Sequence, residues 1–186
     1  ELIVIDDAST DGSDQILKSW SLKTNRIRYL PAVSDRPQRA AAARNRGLAL
    51  ATAPFIAFLD ADDYYLPGRF ERTAAYFEAH PEVEGLIEPV EVRYEGSFSG
   101  PRLKREKLGY QLRQSTPWCN LIYYDVTKPG LPINGWTLKK SSFHKAGYFE
   151  EFQYQKQDLD LLRRLSYNSV PISIAGREQS SVAVYV

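Results

Sequence analysis

Methionine is absent from this chain of 186 residues, and there is one cysteine, Cys119. A lone cysteine closes no internal disulfide, so the fold is not a disulfide-stapled scaffold. The longest purely apolar runs are about five residues, against the roughly 20 that a membrane-spanning helix requires. The opening residues are not expected to be a secretory leader. Net charge is +1, so bulk charge carries no nucleic-acid footprint. There is no internal repeat and no low-complexity linker. What remains is ordinary globular material, 43% hydrophobic and 25% charged, sufficient for one domain with a sizeable core.

The chain opens on Glu1 and then Leu2-Ile3-Val4-Ile5, apolar on both faces. Such a run suits an inner strand of a parallel sheet covered by helices on both sides. An inner strand has neighbours on both sides, so a further β-α unit is expected ahead of Glu1. After Asp6-Asp7, residues 8–13 are turn and N-cap chemistry. A helix is expected from Ser13 to Trp20 with Ile16, Leu17 and Trp20 on one face, then a half-exposed strand over 26–30. An alanine-rich helix follows over 38–53, in which Gly47 permits close packing. Phe55 to Leu59 is a second fully apolar strand. Pro67 opens a helix with Phe70, Ala74 and Phe77 on its apolar face. Residues 83–94 read as strand, 141–146 as a short helix, and 157–165 as a helix with Leu159, Leu162 and Leu165 facing the core. His80 and His144 read as structural. Alternating strands and helices predict an α/β sheet, mainly parallel.

Both apolar strands end in carboxylates: Asp6-Asp7, and Asp60, Asp62 and Asp63. Ligands of open α/β sheets bind at the carboxyl ends of strands. Carboxylates gathered there repel unless a cation or a hydrogen-bonding ligand compensates. Hard oxygen donors favour magnesium or manganese shared with phosphates. The plainer reading is that each cluster caps the helix after it. Strands 2–5 and 55–59 are expected to be neighbours or near-neighbours, with Asp6 and Asp60 at one rim.

Three stretches carry a family resemblance: ELIVIDDASTDGS (1–13), ARNRGLALATAPFIAFLDADDYYLPGRFE (43–71), and LKKSSFHKAGYFEEF with QDLDLLRRL between Leu138 and Leu165. Together they resemble family 2 glycosyltransferases, inverting enzymes of GT-A fold, and they stand in that family's order. The resemblance implies a Rossmann-like sheet flanked by helices. It implies a single domain, incomplete at its start, with residues 1–100 as nucleotide half and 101–186 as acceptor half. It implies transfer of a hexosyl-type sugar from a nucleotide-diphosphate sugar, UDP foremost, to a hydroxyl of a glycan, lipid or other acceptor. By the same resemblance Asp6 contacts the nucleotide base, Arg44 and Asn45 lie near nucleotide and diphosphate, and Asp60 lies near the ribose. Asp62 ligates Mn2+ or Mg2+, and Asp158 is the general base. The expected location is cytoplasmic, including the inner face of a membrane.

The chain also departs from that pattern. The family's first strand is not in the sequence. Gln157 stands where a Glu precedes the base, and Gln179 stands where many members have a His, although Arg177 is kept. Gln157 and the absent strand leave a non-catalytic nucleotide-binding domain as an alternative. A phosphate-accepting receiver domain is a second alternative, on Asp6-Asp7, Asp63 to Pro67 and Lys128-Pro129. It leaves residues 9–13, Ala43-Arg44-Asn45 and the Asp60/Asp62 pair unexplained. A haloacid-type phosphatase fails at Asp63-Tyr64, where a small residue and Thr or Val belong.

Overall fold

The computed structural model describes residues 1–92, 131–153, 155–174 and 183–185. The basic run at 101–107, Cys119, Lys128-Pro129, Arg177 and Gln179 lie outside the described residues. The chain divides into two compact units interleaved in sequence: Glu1–Pro54 with Tyr148–Gln157, and Phe55–Gly147 with Asp158–Val186.

The first unit begins with strand β1 (Leu2–Ile5), helix α1 (Ser13–Lys23), strand β2 (Ile27–Leu30) and helix α2 (Arg39–Leu50). β1 and β2 pair in parallel, Leu2 opposite Ile27 through Ile5 opposite Leu30. α2 buries Ala41, Ala42 and Leu48. Gly47 gives it a close approach to β1, since a Cβ there would stand 3.0 Å from Ile5 Cδ1. α1 buries no residue, and Ile16 and Trp20 are exposed. Of its expected apolar face only Leu17 is half buried. Glu1 fastens the chain after α2. Its Oε1 accepts from Thr52 N (2.7 Å), Thr52 Oγ1 (2.9 Å) and Ala53 N (3.0 Å). Those bonds, the Thr52 N–H foremost, pull its carboxyl down to about 2.

The second unit holds strands β3 (Phe55–Ala57) and β4 (Tyr64–Tyr65), helix α3 (Arg69–Ala79), and strands β5 (Gly85–Ile87), β6 (Val90–Val92) and β7 (Trp136–Lys139). Helices α4 (Lys140–Ala146) and α5 (Gln157–Tyr167) and strands β8 (Ile172–Ile174) and β9 (Ala183–Tyr185) complete it, α5 starting on the last residue of the first unit. One sheet has the order β3-β7-β5-β8 and a smaller one β4-β9-β6. Its core is built on Trp136, Leu138, Phe143, Leu86 and the buried face of α5. Across the chain three described pairings are parallel and three antiparallel, so the sheets are mixed.

Three expectations are revised. β1 and β3 do not pair with each other: β1 pairs with β2, β3 pairs antiparallel with β7, and the two belong to different units. Each has one pairing edge among the described residues, and neither is fully buried. The buried face of α3 is Arg69, Thr73 and Phe77. Ala74 is exposed, and Phe70 is half exposed and sets its ring edge against Tyr65 at 5.2 Å. Two polar residues turn inward because buried oxygens await them there. In α5 the buried stripe is Leu161, Leu162 and Leu165, with Leu159 only half buried. No helix among the described residues is long and apolar enough to cross a membrane.

Two outcomes follow from this packing. A Cβ at Gly135 would collide with the Glu88 carbonyl oxygen and stand 2.9 Å from Val90 Cγ2. Backbone cannot yield as a side-chain tip does, so Gly135→Ala should lose about 1–3 kcal/mol in urea unfolding. Gly47→Ala meets only the mobile end of Ile5 and gains about 1 kcal/mol of helix propensity, so it should stay near neutral. The second outcome concerns acid. Glu1 titrates at about 2 when folded against an ordinary 4.5. Its contribution is thus fully present above pH 4.5 and is lost as pH falls toward about 2. Glu1→Gln should lower stability at neutral pH and flatten the acid limb of a stability-against-pH curve.

Candidate functional site

At the carboxyl end of β1, Asp6 N donates to Leu30 O at 2.9 Å and closes the strand pairing. Ala8 then takes a left-handed φ of 67°, which folds the chain back so that Ser9 N reaches Asp6 Oδ1 at 3.0 Å. Asp6 is buried. Bonds from the Ser9 hydroxyl and N–H hold its carboxyl below the ordinary value, against the opposing effect of burial. Burial first, and then the Asp6 charge, push the Tyr29 phenol up. The neighbour Asp7 has a separate task. Its two oxygens accept from Gln38 N and Arg39 N, both at 2.7 Å. α2 has no side-chain cap of its own, and this remote carboxylate caps its positive end.

α2 carries Arg44 and Asn45. The Asn45 side chain pairs with the Phe149 backbone in both directions: Nδ2 to Phe149 O (2.9 Å) and Phe149 N to Oδ1 (3.0 Å). Its Nδ2 also reaches Glu151 Oε1 at 2.8 Å. The Arg44 guanidinium lies 5.6 Å from the centre of the buried Phe149 ring. Both residues therefore hold the 148–157 segment. Arg46 ties α2 back to the strand ends, donating to Pro31 O at 2.6 Å and Asp6 O at 3.5 Å.

In the second unit, Asp60, Asp62 and Asp63 share the short loop between β3 and β4. Asp63 N donates to Asp60 O at 3.1 Å, closing a turn. Asp63 is buried, and its Oδ2 accepts from Asn134 Nδ2 at 2.9 Å. Asp62 is exposed, and among the described residues its carboxylate has no hydrogen bond or ion pair. Asp60 is intermediate in exposure. One acid thus anchors the loop while the adjacent one projects from it. Below the loop, Arg69 is almost wholly buried, with Nη1 on Asn134 O (2.7 Å) and Nη2 on Trp136 O (3.0 Å) and Thr137 Oγ1 (3.2 Å). Thr73 Oγ1 donates to the buried Glu88 at 2.8 Å. Burial pushes the Glu88 carboxyl up.

The same division of labour occurs in α5. Asp160 is paired with Arg164 through Nε (2.9 Å) and Nη2 (2.8 Å), while Arg164 Nη1 donates to Ala146 O at 2.6 Å. Asp158 accepts from Leu159 N at 2.8 Å. Its spacing to Leu161, Leu162 and Leu165 puts it at the head of the buried stripe. It is the second helical residue rather than the cap. Gln157 Nε2 donates to Gln153 O at 2.8 Å, a bond that a carboxylate at this position cannot give.

A divalent ion needs hard oxygen donors. No group of three His, Cys, Asp or Glu among the described residues is placed to hold a metal ion. Exposed Asp62, on a loop with Asp60, fits an ion that takes its other ligands from diphosphate and water. It does not fit a resident ion in a protein cage. Sequence reasoning passed over Arg69, Thr73, Glu88 and Asn134. The first two carried a signal, since Arg69, Thr73 and Phe77 recur at intervals of four. Asn134 carried none.

The model of glycosyl transferase family 2 matches residues 1–128. The putative glycosyltransferase EpsE of Bacillus subtilis (strain 168) is 40% identical over 64% of this chain and 43% of its own length. The validoxylamine A glucosyltransferase of Streptomyces hygroscopicus subsp. jinggangensis (strain 5008) is 27% identical over 94% of this chain and 46% of its own. The chain spans about half the length of these relatives or less. Among solved structures, S. aureus TarS in complex with UDP superposes on the whole chain and half of its own, with a TM-score of 0.72 at 19% identity. A likeness at that identity speaks for the fold, which is α/β of the GT-A type. With the family model matching well over half of its residues, this chain belongs to glycosyl transferase family 2.

Proposed function

We propose that the protein transfers a hexosyl unit from a UDP-sugar to a hydroxyl of a glycan, lipid or other acceptor by one inverting displacement, in the cytoplasm. The observation that carries this reading is the contrast inside each acidic group. Asp63 is bonded to Asn134 while Asp62 is exposed and unbonded among the described residues. Asp160 is paired with Arg164, while Asp158 accepts only from Leu159 N among the described residues. In both places the acid contrasted with its side-chain-bonded neighbour, itself with no side-chain partner among the described residues, is one that the family resemblance assigns to chemistry. UDP as the nucleotide is supported by the UDP and UDP-GlcNAc complexes of TarS. A hexosyl donor is supported by the glucosyltransferase relative.

In this reading Asp6 receives the base. Its carboxylate accepts from Ser9 N at 3.0 Å. An ionised carboxylate offers about four lone-pair sites, so a base N–H has a place. Arg44 and Asn45 serve the nucleotide and diphosphate through the segment they hold, and Asp60 serves the ribose. Asp62 is the protein ligand of Mn2+ or Mg2+, an ion that, when bound, supplies neutralisation of charge on the departing diphosphate. Asp158 takes the proton of the acceptor hydroxyl, a poor nucleophile at neutral pH. Direct attack inverts the anomeric carbon and needs no covalent enzyme intermediate.

The Asp158→Asn enzyme, made in the full-length protein, tests the assignment. An amide keeps an oxygen for Leu159 N, so stability should hold. It cannot accept the hydroxyl proton, so transfer should fall about a hundredfold or more while donor binding persists. Transfer at the normal rate would show Asp158 to be only a helix-end residue.

A further inference from the structure

We infer that Asn134 and Arg69 are positioning residues for the Asp60–Asp63 loop and set its response to a divalent ion without touching the ion. The inference rests on the reading of Asp62 as the ion's ligand. Three bonds pin the loop. Tyr65 OH donates to Phe58 O at 2.6 Å, fixing the strand end that enters it. Asp63 N donates to Asp60 O at 3.1 Å, closing the turn. Asn134 Nδ2 donates to Asp63 Oδ2 at 2.9 Å, fixing the exit. Asp62 stands between these points.

Two of the three, those of Tyr65 and Asn134, lead to one buried guanidinium. The Tyr65 ring lies 4.5 Å from Arg69 Cζ. Arg69 Nη1 donates to Asn134 O, and its Nη2 holds Trp136 O and Thr137 Oγ1. Asn134 sits in a single 3-10 turn, Ile133–Gly135, all buried, whose Gly135 O accepts from Glu88 N at 2.9 Å. The turn cannot shift without breaking several buried bonds. The network is also an inefficient source of stability. Arg69 Nε and Asn134 Oδ1 are buried with no hydrogen-bond partner among the described residues, and incompletely bonded polar groups in a core compare poorly with apolar ones. What it does supply is geometry. A site with one protein carboxylate depends on preorganisation, because an unpinned loop must be ordered when the ion arrives.

The test is calorimetric binding of UDP to the full-length protein over a manganese series, with thermal unfolding alongside. Asp62→Ala should abolish the manganese dependence. Asn134→Ala and Asp63→Ala break the pin from its two ends. Each should raise the manganese needed for half-maximal UDP binding by about tenfold, the low end for outer-shell partners of a metal ligand. UDP binding without metal should not change. Asp63→Asn keeps an acceptor oxygen for Asn134 and should stay within about twofold of the parent. If Asn134→Ala does not fold, the two Asp63 variants decide alone. An Asp63→Ala protein with the parent's manganese response overturns the inference, provided that Asp62→Ala has lost it. Asp63→Asn as weak as Asp63→Ala also overturns it, because charge and not the bond would then matter. A response unchanged in Asp62→Ala overturns the underlying reading, and this inference with it.

Discussion

The second unit depends on keeping the Arg69 guanidinium in a place without water. A buried cation is costly unless its donors are met. Here two backbone carbonyls and a threonine hydroxyl meet the two Nη atoms, Nε has no partner among the described residues, and the rings of Tyr65 and Phe70 lie 4.5 and 5.6 Å from the charge. Burial lowers its proton affinity, and the nearby Tyr65 and Glu88 act the other way. From this one group the structure spreads outward: α3 by its buried face, β7 by its first residues, and the acidic loop through Asn134 and Tyr65.

The first unit is built on a different principle. Its anchors are carboxylates that accept backbone N–H groups. Glu1 holds Thr52 and Ala53, Asp6 holds Ser9, and Asp7 holds the start of α2. Each meets N–H groups at a turn or beside a helix end, Asp6 from three residues away and Glu1 and Asp7 from far along the chain. Asp6 serves the turn with Oδ1, and an ionised carboxylate has further acceptor sites for the proposed base contact.

The strands and helices were legible where period and punctuation agreed. α2 began near the expected place and ended at Leu50, short of residue 53, and the Asp6-Asp7 turn and the short α4 followed the expected chemistry. Gly47 allowed the close packing anticipated for it. Reading failed where a polar residue belongs to the core. An arginine on the buried face of α3 displaced Phe70 to the surface, and no propensity scale anticipates that. Nor did it give the partners of β1 and β3, which are β2 and β7, because pairing partners are tertiary facts. The acids were legible as a group from their place at strand ends. Their separation into anchors and projecting groups was not, since Asn134 lies 71 residues beyond Asp63 and 3-10 turns leave little pattern.

The central claim is that a nucleotide sugar and a divalent ion bind this protein together. The most direct measurement is a thermal-shift panel of UDP-, GDP- and dTDP-sugars on the full-length protein, with and without manganese. A ligand of the folded state raises its melting temperature by mass action. The account predicts a rise with UDP-sugars that is much larger when manganese is present. Equal shifts with and without the ion, or none with any nucleotide sugar, would contradict it.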